Sequence, residues 1–141
     1  ARIEVVGQRP LVIIDAAHNV ASVRALVEVL NESFCARRRI LVFASTQDKE
    51  IAGMLRELLG HFDEVVLTQY TDNPRAVPVT ELAAVAEQVG GRPFRVASSP
   101  TEAWEAARAS ASPDDLICVT GSFYIAAQMR REVLGTLRAR G

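Results

Sequence analysis

Short apolar runs separated by longer amphipathic segments constrain this chain more than any other feature. The runs at residues 11–15, 40–45, 65–68, 94–97 and 116–120 are rich in Val, Ile and Leu and show little polar alternation. Strands of that kind are covered on both faces, as in a parallel sheet. A further short strand around residues 3–6 is expected at an edge. Between the runs, residues 21–34 place Val23, Leu26, Val27, Leu30 and Phe34 three or four apart, which makes one buried helical stripe. Residues 50–59 repeat the pattern with Ile51, Met54, Leu55 and Leu58, and residues 81–89 give a shorter version. Ser99-Pro100-Thr101-Glu102 opens a fourth helix. There Ser99 caps, Pro100 takes the first helical position, and Glu102 reaches back to complete a capping box. A fifth helix follows Gly121-Ser122 and runs to about Arg138.

One crossover helix per strand forces parallel strands and right-handed connections. The expected fold class is therefore α/β, a three-layer Rossmann-like sandwich around a mostly parallel sheet of about five or six strands. With 141 residues and no repeat, linker or low-complexity tract, residues 1–141 are expected to form one domain. The net charge of −1 offers no electrostatic footprint for nucleic acid or for a membrane surface. No apolar stretch approaches the length of a membrane span. The chain begins on Ala1 without Met and without a signal-peptide layout, so it is expected to be part of a longer protein. Cys35 and Cys118 read as two buried free thiols, in keeping with a cytoplasmic setting.

In doubly wound sheets, ligands bind beyond the carboxyl ends of the strands, so the polar residues just after strands matter most. The first main strand ends in Asp15-Ala16-Ala17-His18-Asn19. Asp15 can accept bonds from ribose hydroxyls or an ammonium group, His18 can donate to a carboxylate or phosphate, and Asn19 can cap the next helix. Asp15 and His18 could equally serve only the turn and the cap. The next strand runs into Ser45-Thr46-Gln47-Asp48-Lys49-Glu50. An acid such as Asp48 is favoured at a helix start, whereas Lys49 at that positive end hints at an anionic ligand. Arg75, in Tyr70-Thr71-Asp72-Asn73-Pro74-Arg75, follows an Asn-Pro turn signal. It could clamp a carboxylate or simply be a solvated loop arginine. The last strand ends in Thr120-Gly121-Ser122-Phe123-Tyr124, where Gly121 permits close approach to the backbone. Ser122 can there cap the helix or bind an anion.

Several chemistries are excluded. A Ser-His-Asp hydrolase lacks its Gly-x-Ser-x-Gly elbow here. No Gly-x-x-x-x-Gly-Lys-[Ser/Thr] loop cradles a triphosphate, and no Gly-x-Gly-x-x-Gly fingerprint follows the first main strand, which argues against a plain NAD-binding domain. No Cys/His spacing fits a zinc site. A nucleotide could meet this chain at one edge only.

Arg2, Asp15-Ala16-Ala17-His18-Asn19, Asp48-Lys49, Pro74-Arg75-Ala76 and Gly121-Ser122-Phe123-Tyr124 together resemble the C-terminal domain of folylpolyglutamate/dihydrofolate synthases, in the Mur ligase superfamily. The motifs keep their order over nearly the whole chain. The resemblance implies an ATP-dependent ligase whose N-terminal ATPase domain carries the P-loop and the Mg²⁺ ligands. The C-terminal domain closes over ATP and supplies much of the site for L-glutamate. In that chemistry a pterin-linked carboxylate of folate or dihydropteroate takes a phosphoryl group from ATP, and the glutamate amine then attacks the acyl phosphate. By resemblance Arg2 and Asp15 contact ATP, while Asp15, His18, Lys49 and Ser122 surround the glutamate. Asn19 and Arg75 stand as candidate substrate contacts. The resemblance gives this domain no catalytic group and no metal ligand of its own, and the domain alone is expected to be inactive.

Two departures bear on loop geometry: Val20 stands where proline commonly follows Ala-His-Asn, and Ala16 where glycine is frequent. Asp72-Asn73-Pro74-Arg75 also spells the tetrapeptide by which the peptidoglycan ligase for diaminopimelate reads its amino acid. A muramyl-peptide ligase domain is therefore the alternative within the same class. A standalone nucleotide- or amino-acid-binding module is the alternative outside it.

Overall fold

The periodicity of the apolar residues translates directly into layers. The computed structural model describes residues 3–140, without the side chains of residues 139 and 140. In chain order the described elements are β1 (Ile3–Gln8), β2 (Leu11–Asp15), α1 (Val20–Ser33), β3 (Arg39–Phe43), α2 (Ile51–Leu58), β4 (Glu64–Leu67), α3 (Val79–Val89), β5 (Arg95–Val96), α4 (Pro100–Ser110), β6 (Leu116–Thr120) and α5 (Phe123–Arg140). They form one six-stranded sheet in the order β1-β2-β6-β3-β4-β5. Among these strands only β1 runs antiparallel, paired to β2 with Ile3 opposite Asp15, and the other pairings are parallel. The α/β sandwich expected from the sequence is thus the fold observed.

Alternation along the buried strands feeds two cores. Leu41 and Phe43 of β3 join Val23, Leu26, Leu55 and Leu82 on the face covered by α1, α2 and α3. Ile40 and Val42 join Trp104, Ala107, Ile125 and Met129 on the face covered by α4 and α5. Each fully buried Leu or Ile contributes roughly 1.5–3 kcal/mol from apolar area removed from water.

The boundaries differ from expectation in instructive ways. β3 leaves the ladder at Phe43, two residues early, because Ser45 and Thr46 turn aside to pair with the β4–α3 loop. β5 is only Arg95–Val96, an exposed edge. α3 starts two residues early, with Pro78 as its cap and the Val79 N–H donating to the Gln69 side chain at 2.7 Å. Glu102 reaches back one residue further than a capping box requires. Its carboxylate accepts from the N–H and hydroxyl of Ser98, while Ser99 caps as expected. The helix after β3 has Glu50 as its N-cap, so Asp48 lies ahead of it, in left-handed backbone with φ 67. Cys118 is buried, but Cys35 is exposed, because α1 ends at Ser33 and the chain turns outward before β3. That corrects the reading of two buried thiols.

The tightest point in the fold is Gly121, at the exit of β6. Its φ is +124, and a Cβ there would lie 1.9 Å from the Ala44 carbonyl oxygen. Gly121→Ala is therefore expected to cost at least about 3 kcal/mol, since neither the backbone region nor the space admits a side chain. The same change at Gly60, where nothing lies within 4 Å, should be near neutral. Thermal melts of the two variants test this, and equal melting temperatures would contradict the geometry. A second outcome follows for the cysteines. Burial pushes the Cys118 thiol far up, with the Asp15 carboxylate adding to the shift. Under native conditions at pH 8, iodoacetamide should modify Cys35 alone, as read by intact mass, and Cys118 only after denaturation.

Candidate functional site

Strand order creates a crevice before any side chain is considered. From β2 the chain passes into α1 on one face, and from the adjacent β6 it passes into α5 on the other. Such a switch point is where doubly wound sheets bind ligands. The distribution of polar groups agrees. Of the seven buried polar or charged residues among those described, Asp15, Ser45, Thr46, Thr68, Thr120 and Ser122 lie at or just beyond the carboxyl ends of strands, and Asp115 lies at the opposite end. Buried polar groups are costly unless satisfied, so concentrating them at one edge marks that edge as built for a purpose.

On the β2 side, Asp15 is 2% exposed and its Oδ2 accepts from the Ala17 N–H at 2.9 Å. The small pair Ala16-Ala17 lets the chain turn, and the Ala17 carbonyl accepts from the Gly121 N–H at 3.0 Å, stitching the two exits together. His18 Nδ1 lies 3.0 Å from the Ala16 carbonyl oxygen, and its ring packs 5.2 Å from that of Phe123 across the crevice. Asn19 caps α1: its Oδ1 accepts from the Ser22 N–H at 2.8 Å, and the Ser22 hydroxyl returns to the Asn19 N–H. Ser122 caps α5 in the same way, with Oγ accepting from the Ile125 N–H at 3.0 Å. That leaves the hydroxyl hydrogen of Ser122 to donate elsewhere. Neither α1 nor α5 carries an acidic residue in its first turn, so the positive ends of both helix dipoles flank the crevice with no acid of their own.

On the β3 and β4 side, Lys49 and Arg75 sit on two loops that brace each other. The Gln47 N–H donates to the Arg75 carbonyl at 2.8 Å, the Val77 N–H donates to the Ser45 carbonyl at 3.0 Å, and Thr46 bridges to Ala76. The Arg75 guanidinium comes within 3.8 Å of Asp48. Both groups are well exposed, so this ion pair is screened and weak. Lys49 is exposed and makes no ion pair among the described residues.

All the candidate residues within the described region reach the same edge, in two groups. Asp15, His18, Asn19 and Ser122 surround the β2/β6 crevice, and Lys49 and Arg75 stand across β6 on the neighbouring loops. Arg2 lies outside the described residues. The sequence pattern did not single out Thr46, whose hydroxyl meets the Tyr70 hydroxyl at 2.7 Å in the interior, or Thr120, whose buried Oγ1 has no partner among the described residues. Neither carries a motif, and only burial distinguishes them. A depression of about 480 Å³ lies between β1, the end of β2 and α5, lined by Ile14, Ala16, Phe123, Ala126 and Ala127 together with the charged Glu4 and Arg130. Phe123 and Tyr124 are 64% and 41% exposed, a large aromatic surface for one edge. Among the described residues no group of three His, Cys, Asp or Glu side chains could hold a metal ion, and no helix is long and apolar enough to cross a membrane.

Comparison with known proteins gives the family and bears out the fold. Residues 1–123 match the family model described as Mur ligase, glutamate ligase domain. The folylpolyglutamate synthase of Lacticaseibacillus casei is 35% identical over 96% of this chain, which spans 30% of that protein's length. The structure of E. coli FolC in complex with ADP, without folate substrate, superposes with a TM-score of 0.82 at 28% identity, covering 99% of this chain and 31% of that one. A bifunctional folylpolyglutamate synthase/dihydrofolate synthase with Mn, AMPPNP and L-glutamate bound gives a TM-score of 0.79 at 30% identity, covering 96% and 30%. The chain thus spans about a third of the length of these relatives.

Asn19→Ala should lower stability by about 1 kcal/mol through removal of the cap, and Asn19→Ser should restore most of it. Urea denaturation measures both. An alanine variant as stable as the parent would show that Asn19 is not the cap.

Proposed function

We propose a function from one premise: the chain belongs to the Mur ligase family, as a glutamate ligase domain. On that footing, residues 1–141 are one domain of a longer ATP-dependent ligase that adds L-glutamate to folate or dihydropteroate. Its working partner is an N-terminal ATPase domain in the same protein, to which the exposed Phe123 and Tyr124 at the rim offer an apolar contact. The observation that carries the reading is the gathering of buried polar side chains along one sheet edge, around a crevice flanked by two helix N-termini with no acid of their own. The relatives supply the ligand chemistry, being solved with ADP in one case and with Mn, AMPPNP and L-glutamate in another.

The residues divide the work. Asp15, nearly buried at the end of β2, is placed to accept ribose hydroxyls. Arg2 is assigned to an ATP phosphate by resemblance. The Ser122 hydroxyl can donate to the incoming glutamate. His18, whose Nδ1–H donates to the Ala16 carbonyl, presents Nε2 to it, as an acceptor for the ammonium when neutral and as a donor to a carboxylate when protonated. The ammonium can also turn to Asp15. Lys49 and Arg75 supply positive charge for its carboxylates. Asn19 has its Oδ1 committed to the cap, so only its amide donors remain for a substrate. By resemblance, Mg²⁺ is assigned mainly to the N-terminal part of the enzyme.

The chemistry then balances simply. The γ-phosphoryl of ATP passes to the substrate carboxylate, giving ADP and an acyl phosphate. The glutamate amine attacks the acyl carbon, the amide forms and phosphate leaves. This domain's share is orientation and charge, which lower the barrier by fixing the amine close to the acyl group. A cytoplasmic setting goes with the reading, since both cysteines are unpaired. The Asp72-Asn73-Pro74-Arg75 tetrapeptide keeps a muramyl-peptide ligase as the second reading, and a substrate screen separates the two.

In the full-length enzyme, Asp15→Ala and His18→Ala are each expected to cut kcat/KM for glutamate ligation by about 100-fold or more. Their melting temperatures should stay near that of the parent. Unaltered kinetics in both variants would remove the site assignment. The 141-residue chain alone should release no phosphate from ATP, with or without folate and glutamate.

A further inference from the structure

The β4–α3 loop that carries Arg75 is held by a helix from the far end of the sequence. On α5, Tyr124, Gln128 and Arg131 fall at i, i+4 and i+7, one stripe down one side of the helix. They meet three loop residues in order. The Tyr124 ring packs 5.1 Å from that of Tyr70. The Gln128 side chain takes Thr71 at two points: its Oε1 accepts from the Thr71 N–H at 2.9 Å, and its Nε2 donates to the Thr71 hydroxyl. Arg131 donates to the Asp72 carboxylate. Next along the loop, Asn73 Oδ1 accepts from the Arg75 N–H at 2.9 Å. The Arg75 carbonyl then accepts from Gln47, on the loop that carries Lys49.

Stability does not account for this arrangement. Thr71, Asp72, Gln128 and Arg131 are on the surface, where such pairs contribute little to folding. Loops of this kind are normally among the most mobile parts of a domain. Here one face of α5 fixes the loop residue by residue. The same helix begins at Ser122 and Phe123 in the crevice, so it spans both groups of candidate site residues.

We propose that Gln128 and Arg131 are positioning residues for the amino-acid side of the site: by gripping Thr71 and Asp72 they set where Arg75 stands relative to Ser122 and His18. This rests on the reading above, in which Lys49 and Arg75 receive the glutamate carboxylates. Neither Gln128 nor Arg131 touches substrate. Their effect passes through the loop, so it falls on capture of the amino acid and not on the nucleotide.

The test uses the full-length ligase. Gln128→Ala and Arg131→Asp should each raise the KM for glutamate by roughly five- to tenfold, the effect of weakening one modest interaction with the substrate. The KM for ATP and the kcat at saturating glutamate should stay within about twofold of the parent, a split that general loss of structure does not produce. The reversed pair, Asp72→Arg with Arg131→Asp, should recover most of the glutamate KM, because it rebuilds the grip with its charges exchanged. Arg75→Ala, measured alongside, should raise the glutamate KM at least as much. If Arg75→Ala raises it while Gln128→Ala and Arg131→Asp leave it unchanged, the positioning role is wrong and the site stands. If Arg75→Ala and Lys49→Ala also leave it unchanged, the amino-acid site itself is misassigned, and the positioning role falls with it. Failure of the reversed pair to recover the KM would show that the Arg131–Asp72 pair is not what places the loop.

Discussion

Everything at the functional edge depends on how closely β6 can pass β3 as it leaves the sheet. Strand β6 is last in the chain but lies between β2 and β3, so its exit must thread between two loops already in place. At Gly121 the backbone comes so near the Ala44 carbonyl that no side chain fits, and the Gly121 N–H reaches the Ala17 carbonyl on the other flank. Two exits are thereby drawn to within hydrogen-bond reach, and α1 and α5 start side by side on opposite faces. A wider crossing would part Ser122 and Phe123 from Asp15 and His18. The crevice is a consequence of one missing Cβ.

The residues around that crevice serve two purposes at once. Asn19 and Ser122 are helix caps, and their side-chain oxygens are committed to N–H groups of α1 and α5. A cap orders the first turn of its helix and so fixes the remaining free N–H groups in space. With no acid in either first turn, those groups and the helix dipoles favour a negative ligand. Asp15, held by the Ala17 N–H and the surrounding core, places one negative charge of the protein's own in this field. In the proposed reading capping and recognition are therefore one arrangement. A side chain's role in the helix terminus is part of how the ligand edge is aimed.

The sheet was legible in the sequence because parallel strands buried on both faces admit few polar residues, and the runs at β2 and β6 match the structure residue for residue. The helices were legible through their stripes, and the Asn19 and Ser99 caps through side-chain chemistry. The ends blurred where tertiary contacts overrode local pattern. Residues 44 and 45 close the run read as β3, yet Ser45 and Thr46 pair with 76–77 of a distant loop, which no local signal announces. Cys35 followed a buried stripe but fell one residue past the Phe34 cap, where the chain turns to solvent. Asp15, His18, Lys49 and Ser122 could be placed at one edge because every parallel strand ends there. The pairing of Lys49 with Arg75 on a shared clip could not, since it depends on contacts between loops about 26 residues apart.

The same reasoning explains why the two halves of the edge differ in character. Around β2 and β6 the polar groups are buried, and their geometry is set by the packed sheet beneath them. Around β3 and β4 the charges are exposed, on loops that the sheet alone would leave free to move. The fold compensates by tying those loops to each other through residues 45–47 and 75–77, by the Thr46–Tyr70 hydroxyl contact, and to α5 through three successive side chains. A flexible charged ligand needs its carboxylates met at a fixed separation, and two loops can supply that only if both are referred to one rigid element. In the proposed reading the long helix that starts in the crevice is that element, and its outer stripe, well away from the crevice, holds the loop that carries Arg75.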